Sequence, residues 1–267
     1  MKRKPRLDIT TLAGMPLGIV MVLLAQYLEG GSVRSMLQPT AALVVFGGTL
    51  AAVLVSFTVT DVKSALRAFR SVVFWHGESP RSTIELVMQF ANRARRQGIG
   101  TLENDLPAIG DAFLRRGLGL GVDGVAPHAI RDILELENNN REEEEESPAR
   151  VYEAAAGYTP TLGILGAVMG LIQVMQHLSE PSRLGEGIAV AFVATVYGVA
   201  TANLLLLPIA TKLRTKAHFE ARRRELLLEG IIGIAEGVNP RTLRERLISC
   251  SGQPQLMEDP RRDRVVA

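Results

Sequence analysis

The residues able to do chemistry in this chain are few, and the informative ones sit where polarity is costly. The stretch from Tyr158 to Leu178 carries Thr159, Pro160, Thr161, Gln173 and Gln176, and the stretch from Ile188 to Thr211 carries Thr195, Tyr197, Thr201, Asn203 and Pro208. Both are otherwise apolar and contain no Asp, Glu, Lys or Arg. Hydroxyls and amides at such depth must face protein or water rather than lipid. Such groups can line a path for a proton or a small ion, or hydrogen-bond neighbouring helices. They cannot hold the charge itself, for which an ionisable side chain is needed. His177, the one imidazole nearby, stands at the end of its stretch. If this chain helps to move ions, the titrating acid belongs to another polypeptide, and these residues are the wall around it.

Two further features of the same stretches concern movement and packing. Pro160 and Pro208 each remove a backbone donor and can bend a helix, so they are candidates for a hinge pair, with helix-end punctuation as the plainer alternative for Pro160. Gly163, Gly166, Ala167 and Gly170 recur at small-xxx-small spacing, which lets helix backbones approach closely.

Around these residues the elements follow from hydropathy. About 20 apolar residues cross a bilayer as a helix. Four segments qualify without an Asp, Glu, Lys or Arg inside: Ile9 to Leu28, Pro39 to Thr60, Tyr158 to Leu178 and Ile188 to Thr211. The basic start resembles a signal peptide, but the apolar stretch is long and no A-x-A site precedes Glu29, so a retained anchor is expected. Lys and Arg set orientation. They crowd the amino-terminal arm (Lys2, Arg3, Lys4, Arg6), the middle segment and the tail, whereas the two short loops hold only Arg34 and Arg183. Both termini and the middle segment are therefore expected in the cytoplasm of a bacterial inner-membrane protein. The fold class is all-α, with four transmembrane helices and a large helical cytoplasmic domain. The expected divisions are 1–60, 61–157, 158–211, 212–250 and a disordered 251–267.

The middle segment reads as helices over Val62 to Trp75, Ser82 to Gln97 with Ser82 and Glu85 as a capping box, Leu106 to Leu118 and Ala129 to Glu137, with Gly117 to Pro127 as a turn-rich linker. The run Asn138 to Glu146 is a solvated helix or loop whose glutamates could gather cations. Lys212 to Ile234 reads as a long helix with Arg222, Arg223 and Arg224 on its polar face, followed by Pro240 to Leu247.

Other classes find no support. A net charge of +2 gives no basic field for nucleic acid, and a lone cysteine, Cys250, gives neither a disulfide framework nor a thiolate metal cluster. His76, His128, His177 and His218 lack ligand spacing, and no phosphate loop, H-E-x-x-H or G-x-S-x-G occurs. No enzyme activity and no cofactor or metal are expected.

The segment Gly157-Tyr-Thr-Pro-Thr-Leu-Gly-Ile-Leu-Gly-Ala-Val-Met-Gly-Leu171 resembles the third span of the MotA/PomA family of flagellar stator A subunits. Ala194-Thr-Val-Tyr-Gly-Val-Ala-Thr-Ala-Asn-Leu-Leu-Leu-Leu-Pro208-Ile-Ala-Thr-Lys212 resembles the fourth. Asp8 to Leu12, Phe46-Gly47-Gly48-Thr49 and Asp123-Gly124 also fit, so the likeness covers about Leu7 to Ser249. The resemblance implies a homo-oligomer, five A subunits around a dimer of MotB-type B subunits whose span supplies the ion-binding Asp. It implies that Pro160 and Pro208 couple conformation to ion flow. It places the residues that meet the rotor protein FliG at Arg95 and Glu103, with Arg96 adjoining the first. Sodium-type members carry a threonine where this chain has Ala167 and paired threonines where it has Ala194 and Thr195. Sodium needs several oxygens, and Ala167 supplies none. The translocated ion is therefore expected to be the proton, with Thr195, Ala167, Tyr197 and Thr161 lining the partner-facing path. The nearest alternative is an ExbB/TolQ-type energiser, which has three spans; a self-sufficient channel is disfavoured by the uncharged spans.

Overall fold

The computed structural model describes residues 6–75, 79–179 and 181–252. Lys2, Arg3, Lys4, His76 and the tail expected to be disordered after Gly252 lie outside the described residues.

Apolar sequence sets the first two rods. Helix α1 (Ile9–Leu28) starts where the Asp8 carboxylate accepts the Thr11 N–H, as an N-cap should. A 3₁₀ turn, Val33–Met36, leads to α2 (Pro39–Ala42), a π-turn (Leu43–Gly47) and α3 (Gly48–Ser56). Extended backbone at Phe57 and a capping box between Thr58 and Asp61 then open α4 (Val59–Val73). Next come α5 (Pro80–Gln97), a 3₁₀ segment (Ile99–Ala108) and α6 (Ala112–Val122). Helix α7 (Pro127–Gln176) follows, then α8 (Pro181–Ala200), a π-turn (Thr201–Leu206), α9 (Leu207–Ala235) and α10 (Pro240–Cys250). Four helical stretches are long and apolar enough to cross a membrane: Thr10–Leu28, Val33–Ser56, and parts of Pro127–Gln176 and Gly187–Ala235.

Several boundaries differ from the sequence reading. The cap of α5 is Ser79, whose hydroxyl accepts the Ser82 N–H, so Ser82 already lies in the first turn. Leu106 lies within the 3₁₀ segment Ile99–Ala108 instead of opening a helix. Asp111 caps α6, whose Gly117 and Gly121 are buried within the helix rather than in a linker. The solvated run of Asn138 to Glu146 belongs to α7, which has no break over its 50 residues. The i,i+4 pairs Arg131–Glu135 and Arg141–Glu137 support its charged half. A small antiparallel pair, β1 (Arg6–Leu7) with β2 (Phe74–Trp75), joins the chain ahead of α1 to the end of α4, in register Arg6 with Trp75 and Leu7 with Phe74.

The described residues form two compact units, one drawn from 1–76 with 144–216 and the other from 77–143 with 217–267. The divisions fall inside α7 and α9, not at residues 157 and 211, because both helices continue beyond their apolar stretches. In the first unit, small clusters such as Ala41, Val45, Val193 and Ala194 hold the apolar rods. In the second, Phe113, Leu114, Leu134, Leu227, Ile231 and Leu243 form one closed core. Arg224 was expected on a polar face but is 5% exposed, donating to the buried Asn138 at 2.7 Å.

Candidate functional site

In the first unit, α7 and α8 meet along a seam made of small residues. A Cβ on Gly198 would stand 2.8 Å from the Thr159 carbonyl oxygen and 3.1 Å from the Pro160 Cα. On Gly163 it would meet the Ala194 carbonyl at 2.9 Å, and on Gly170 the Gly187 carbonyl at 2.8 Å. These are backbone contacts, possible only because no side chain intervenes. The ridge expected on the third span exists, and α8 answers it with Gly187, Ala191, Ala194 and Gly198, a match the sequence reading had not drawn. The signal was available, since small residues recur there every three or four positions.

Counting about 100° per residue around each helix sorts the other side chains. Pro160 and Ala167, both half-buried, and the exposed Thr195 fall on one side of the seam. Thr161 lies further round the same free face of α7, exposed, its hydroxyl donating to the Tyr158 carbonyl at 2.7 Å. Thr195 Oγ1 donates to the Ala191 carbonyl at 3.2 Å, which leaves its lone pairs available. Tyr197 falls on the opposite side, away from the other three. Its ring stacks on Phe46 with centroids 5.6 Å apart, and its hydroxyl donates to the Met36 carbonyl while accepting the Gln38 N–H at 3.3 Å. Tyr197 therefore ties the fourth span to the loop before the second. Behind the seam, Thr159 Oγ1 donates to the Ala155 carbonyl at 2.5 Å and lies 3.5 Å from the Thr49 hydroxyl, both side chains being buried.

The prolines are placed differently from a simple pair. Pro160 is well inside α7, so it does not mark a helix start. Pro208 is exposed in the first turn of α9, directly after the π-turn Thr201–Leu206, beside a recess of about 470 Å³ lined by Asn203, Thr211, Lys212 and Thr215. A π-turn and a proline in succession both weaken the i→i−4 ladder, concentrating compliance at this point.

One turn past Pro208, Lys212 forms an ion pair with Asp8 and donates to Thr11 Oγ1 at 2.6 Å. The bond from Lys212, with a second from the Thr10 hydroxyl, holds the Asp8 carboxyl at about 2, well below its ordinary 3.8. Asp8 N–H donates to the Val73 carbonyl at 2.9 Å, and Lys216 Nζ donates to the Phe74 carbonyl at 3.1 Å. The starts of α1 and α9 and the end of α4 are thus tied at one place. The sequence reading missed this knot. Its signals were an acid capping the first apolar run and the first cation after the fourth.

In the second unit, Arg95 and Arg96 occupy the last turn of α5, which Gly98 ends at φ +87. The following 3₁₀ segment carries Glu103, and an Arg93–Asp105 ion pair pins that segment to α5. Arg95, Arg96 and Glu103 are all exposed, and among the described residues none has an ion-pair partner. Arg95 reaches only the Gly237 carbonyl, at 3.4 Å. The acidic run is partly engaged, Glu142 meeting His218 Nδ1 at 2.7 Å.

These features define a multi-pass membrane protein whose four spans carry hydroxyls and a glycine seam but no acid, joined to a helical unit that presents unpaired charges. Comparison with known proteins agrees. A model of the MotA/TolQ/ExbB proton channel family matches residues 106–226. Motility protein A of Bacillus subtilis (strain 168) is 36% identical over 246 residues, 91% of this chain and 90% of that protein. The structure of C. jejuni MotAB superposes with a TM-score of 0.85 at 30% identity, covering 95% of this chain and 98% of that one. The flagellar MotAB stator complex from Bacillus subtilis does so with a TM-score of 0.83 at 34% identity, covering 90% and 95%. The chain belongs to the motility protein A family, the flagellar stator A subunits.

Proposed function

We propose that this chain is the torque-generating A subunit of a proton-driven flagellar stator, wrapped as a homo-oligomer, five copies by family resemblance, around a MotB-type pair of partner helices. The observation that carries this reading is the free side of the seam. Pro160, Ala167 and Thr195 share it, and among the described residues no ionisable group stands on it. A face with a hydroxyl but no acid suits a foreign carboxylate. Protonation of that carboxylate changes its contacts with α7 and α8, and the Pro160 and Pro208 regions yield. Arg95 and Glu103 then act on a FliG-type rotor. Ion pairs at an exposed surface are individually weak, which suits a contact made and released at every step. Ala167 offers no oxygen to sodium, which favours the proton. Both termini and the charged unit face the cytoplasm by the distribution of Lys and Arg.

The ExbB/TolQ-type reading draws less support. The chain has four candidate spans, and its likeness to MotAB structures runs over nearly its whole length.

The test is complementation of a stator-deleted strain with this chain and its neighbouring B subunit. Swimming without sodium, abolished by Pro160→Leu or Pro208→Leu while membrane abundance is kept, is the expected result. Swimming only in sodium would refute the proton assignment, and normal swimming of both proline variants would refute the hinge.

A further inference from the structure

Helix α4 has three faces. Ala65 and Val72 are buried against the first unit, with Val62 and Ala68 half-buried beside them. Next around the helix come Phe69, Leu66 and Val59, which are 43%, 68% and 64% exposed. Directly beside that stripe stand Arg70, Lys63 and Arg67, all exposed. Among the described residues none of these three cations has a carboxylate partner. The one acid of the helix, Asp61, lies on the far side, where it is used in the capping box with Thr58.

An exposed apolar stripe bordered by cations is the pattern of a helix lying in the interface plane of a bilayer, its apolar side chains among the acyl boundary and its Lys and Arg among the headgroups. The position fits. Only Phe57 and Thr58 separate α4 from α3, the end of an apolar rod long enough to span. Its far end runs into β2. Opposite Trp75 in the strand pair is Arg6, the last residue of the basic amino-terminal sequence.

We propose that α4 is a docking surface for the anionic headgroup layer of the bilayer its own spans cross. Neutral lipid would satisfy the apolar stripe but not the three cations. A cation near an anionic surface gains on the order of fivefold in binding, so three give a preference of roughly a hundredfold for anionic over neutral lipid. The docked end of α4 is the segment whose Val73 and Phe74 carbonyls are held by Asp8 and Lys216. Membrane charge therefore bears on the chain one turn beyond Pro208.

The test uses the full-length chain in nanodiscs of phosphatidylcholine alone and with phosphatidylglycerol as about a third of the lipid. Amide hydrogen exchange is read over residues 59–73. Exchange should slow at least about tenfold with phosphatidylglycerol, and the slowing should fade at high salt. It should be lost in the K63Q/R67Q/R70Q variant and cut to about a third in logarithm by Arg67→Glu alone, which takes the charge of the set from three to one. Unchanged exchange of α5 and α6 checks that the variants fold. Equal protection in both lipids overturns the proposal. So does protection that appears in detergent on self-association, which would make the stripe a contact between copies of this chain. Because the readout is not motility, either failure leaves the stator assignment standing.

Discussion

The seam between α7 and α8 and the core of the second unit are both close-packed, but with opposite materials. At the seam, glycine lets backbone touch backbone, and the first atom a new Cβ would meet on Gly163, Gly170 or Gly198 is a carbonyl oxygen. In the second unit, Leu, Ile and Phe fill the interior. There a Cβ on Gly233 or Gly117 would first meet the end of a side chain, Leu243 Cδ1 at 2.3 Å or Ile231 Cδ1 at 2.4 Å. The difference follows from solvent. In water, burying large apolar side chains drives assembly. In lipid that drive is absent between helices, and close backbone approach replaces it.

The contrast can be broken by mutation. The largest effect should come from Leu114→Ala in the second unit. Leu114 is fully buried, and the lost contacts plus the cavity should cost about 3–5 kcal/mol. Thermal unfolding in detergent measures it. The equivalent change on the side of α7 turned away from the seam, Leu165→Ala, where the side chain is 49% exposed, should cost little. Next comes Gly198→Ala, which should cost about 2–3 kcal/mol because carbonyl and Cα atoms cannot step aside without parting the helices. Gly233→Ala should cost less than about 1 kcal/mol, since Leu243 can change rotamer and alanine regains about 1 kcal/mol of helix propensity. Equal costs for the two glycine variants would mean that the seam is no stiffer than the core.

The knot at Asp8 lies between these extremes. Asp8→Asn should keep the cap but lose the charge-assisted bonds to Lys212, at about 1–2 kcal/mol. Because the folded carboxyl titrates at about 2 against an ordinary 3.8, its contribution is complete above about pH 4 and is lost as pH falls toward 2. Wild type and Asp8→Asn should therefore differ by a constant amount from pH 5 to 8, and the difference should shrink only in acid. A difference that vanished between pH 6 and 7 would assign the effect to another group.

How far the sequence could be read follows the same division. Uncharged runs of about 20 residues leave one physical solution in lipid, so the four spans were legible, the first to the residue, although the second ends at Ser56 and not at Thr60. Helix interruptions were not. Leu43–Gly47 and Thr201–Leu206, the two π-turns among the described residues, carry a glycine and two polar residues, but glycine and threonine also occur in the unbroken parts of these spans. The direction of Tyr197 was illegible because a hydroxyl in a span suits an ion path and a hydrogen bond to Met36 equally well. Consecutive arginines at 222–224 step through 200°. One of them can therefore turn inward, and Arg224 does so because Asn138, distant in sequence, waits there. Pairings of that kind depend on the fold and not on local pattern.

The smallest stability effect should accompany a large functional one. Arg95 and Glu103 are exposed and make no ion pair among the described residues, so Arg95→Glu or Glu103→Lys should move stability by no more than about 0.5 kcal/mol. If these charges grip a rotor, each reversal should nevertheless cut swimming while leaving the unfolding curve and membrane abundance unchanged, and a charge reversal on the rotor side should restore part of it. Swimming speed beside the thermal midpoint separates the two roles. A reversal that lowered both together would make Arg95 a structural partner of the Gly237 turn. One that lowered neither would move the rotor contact to Arg96 or away from this corner of α5 altogether.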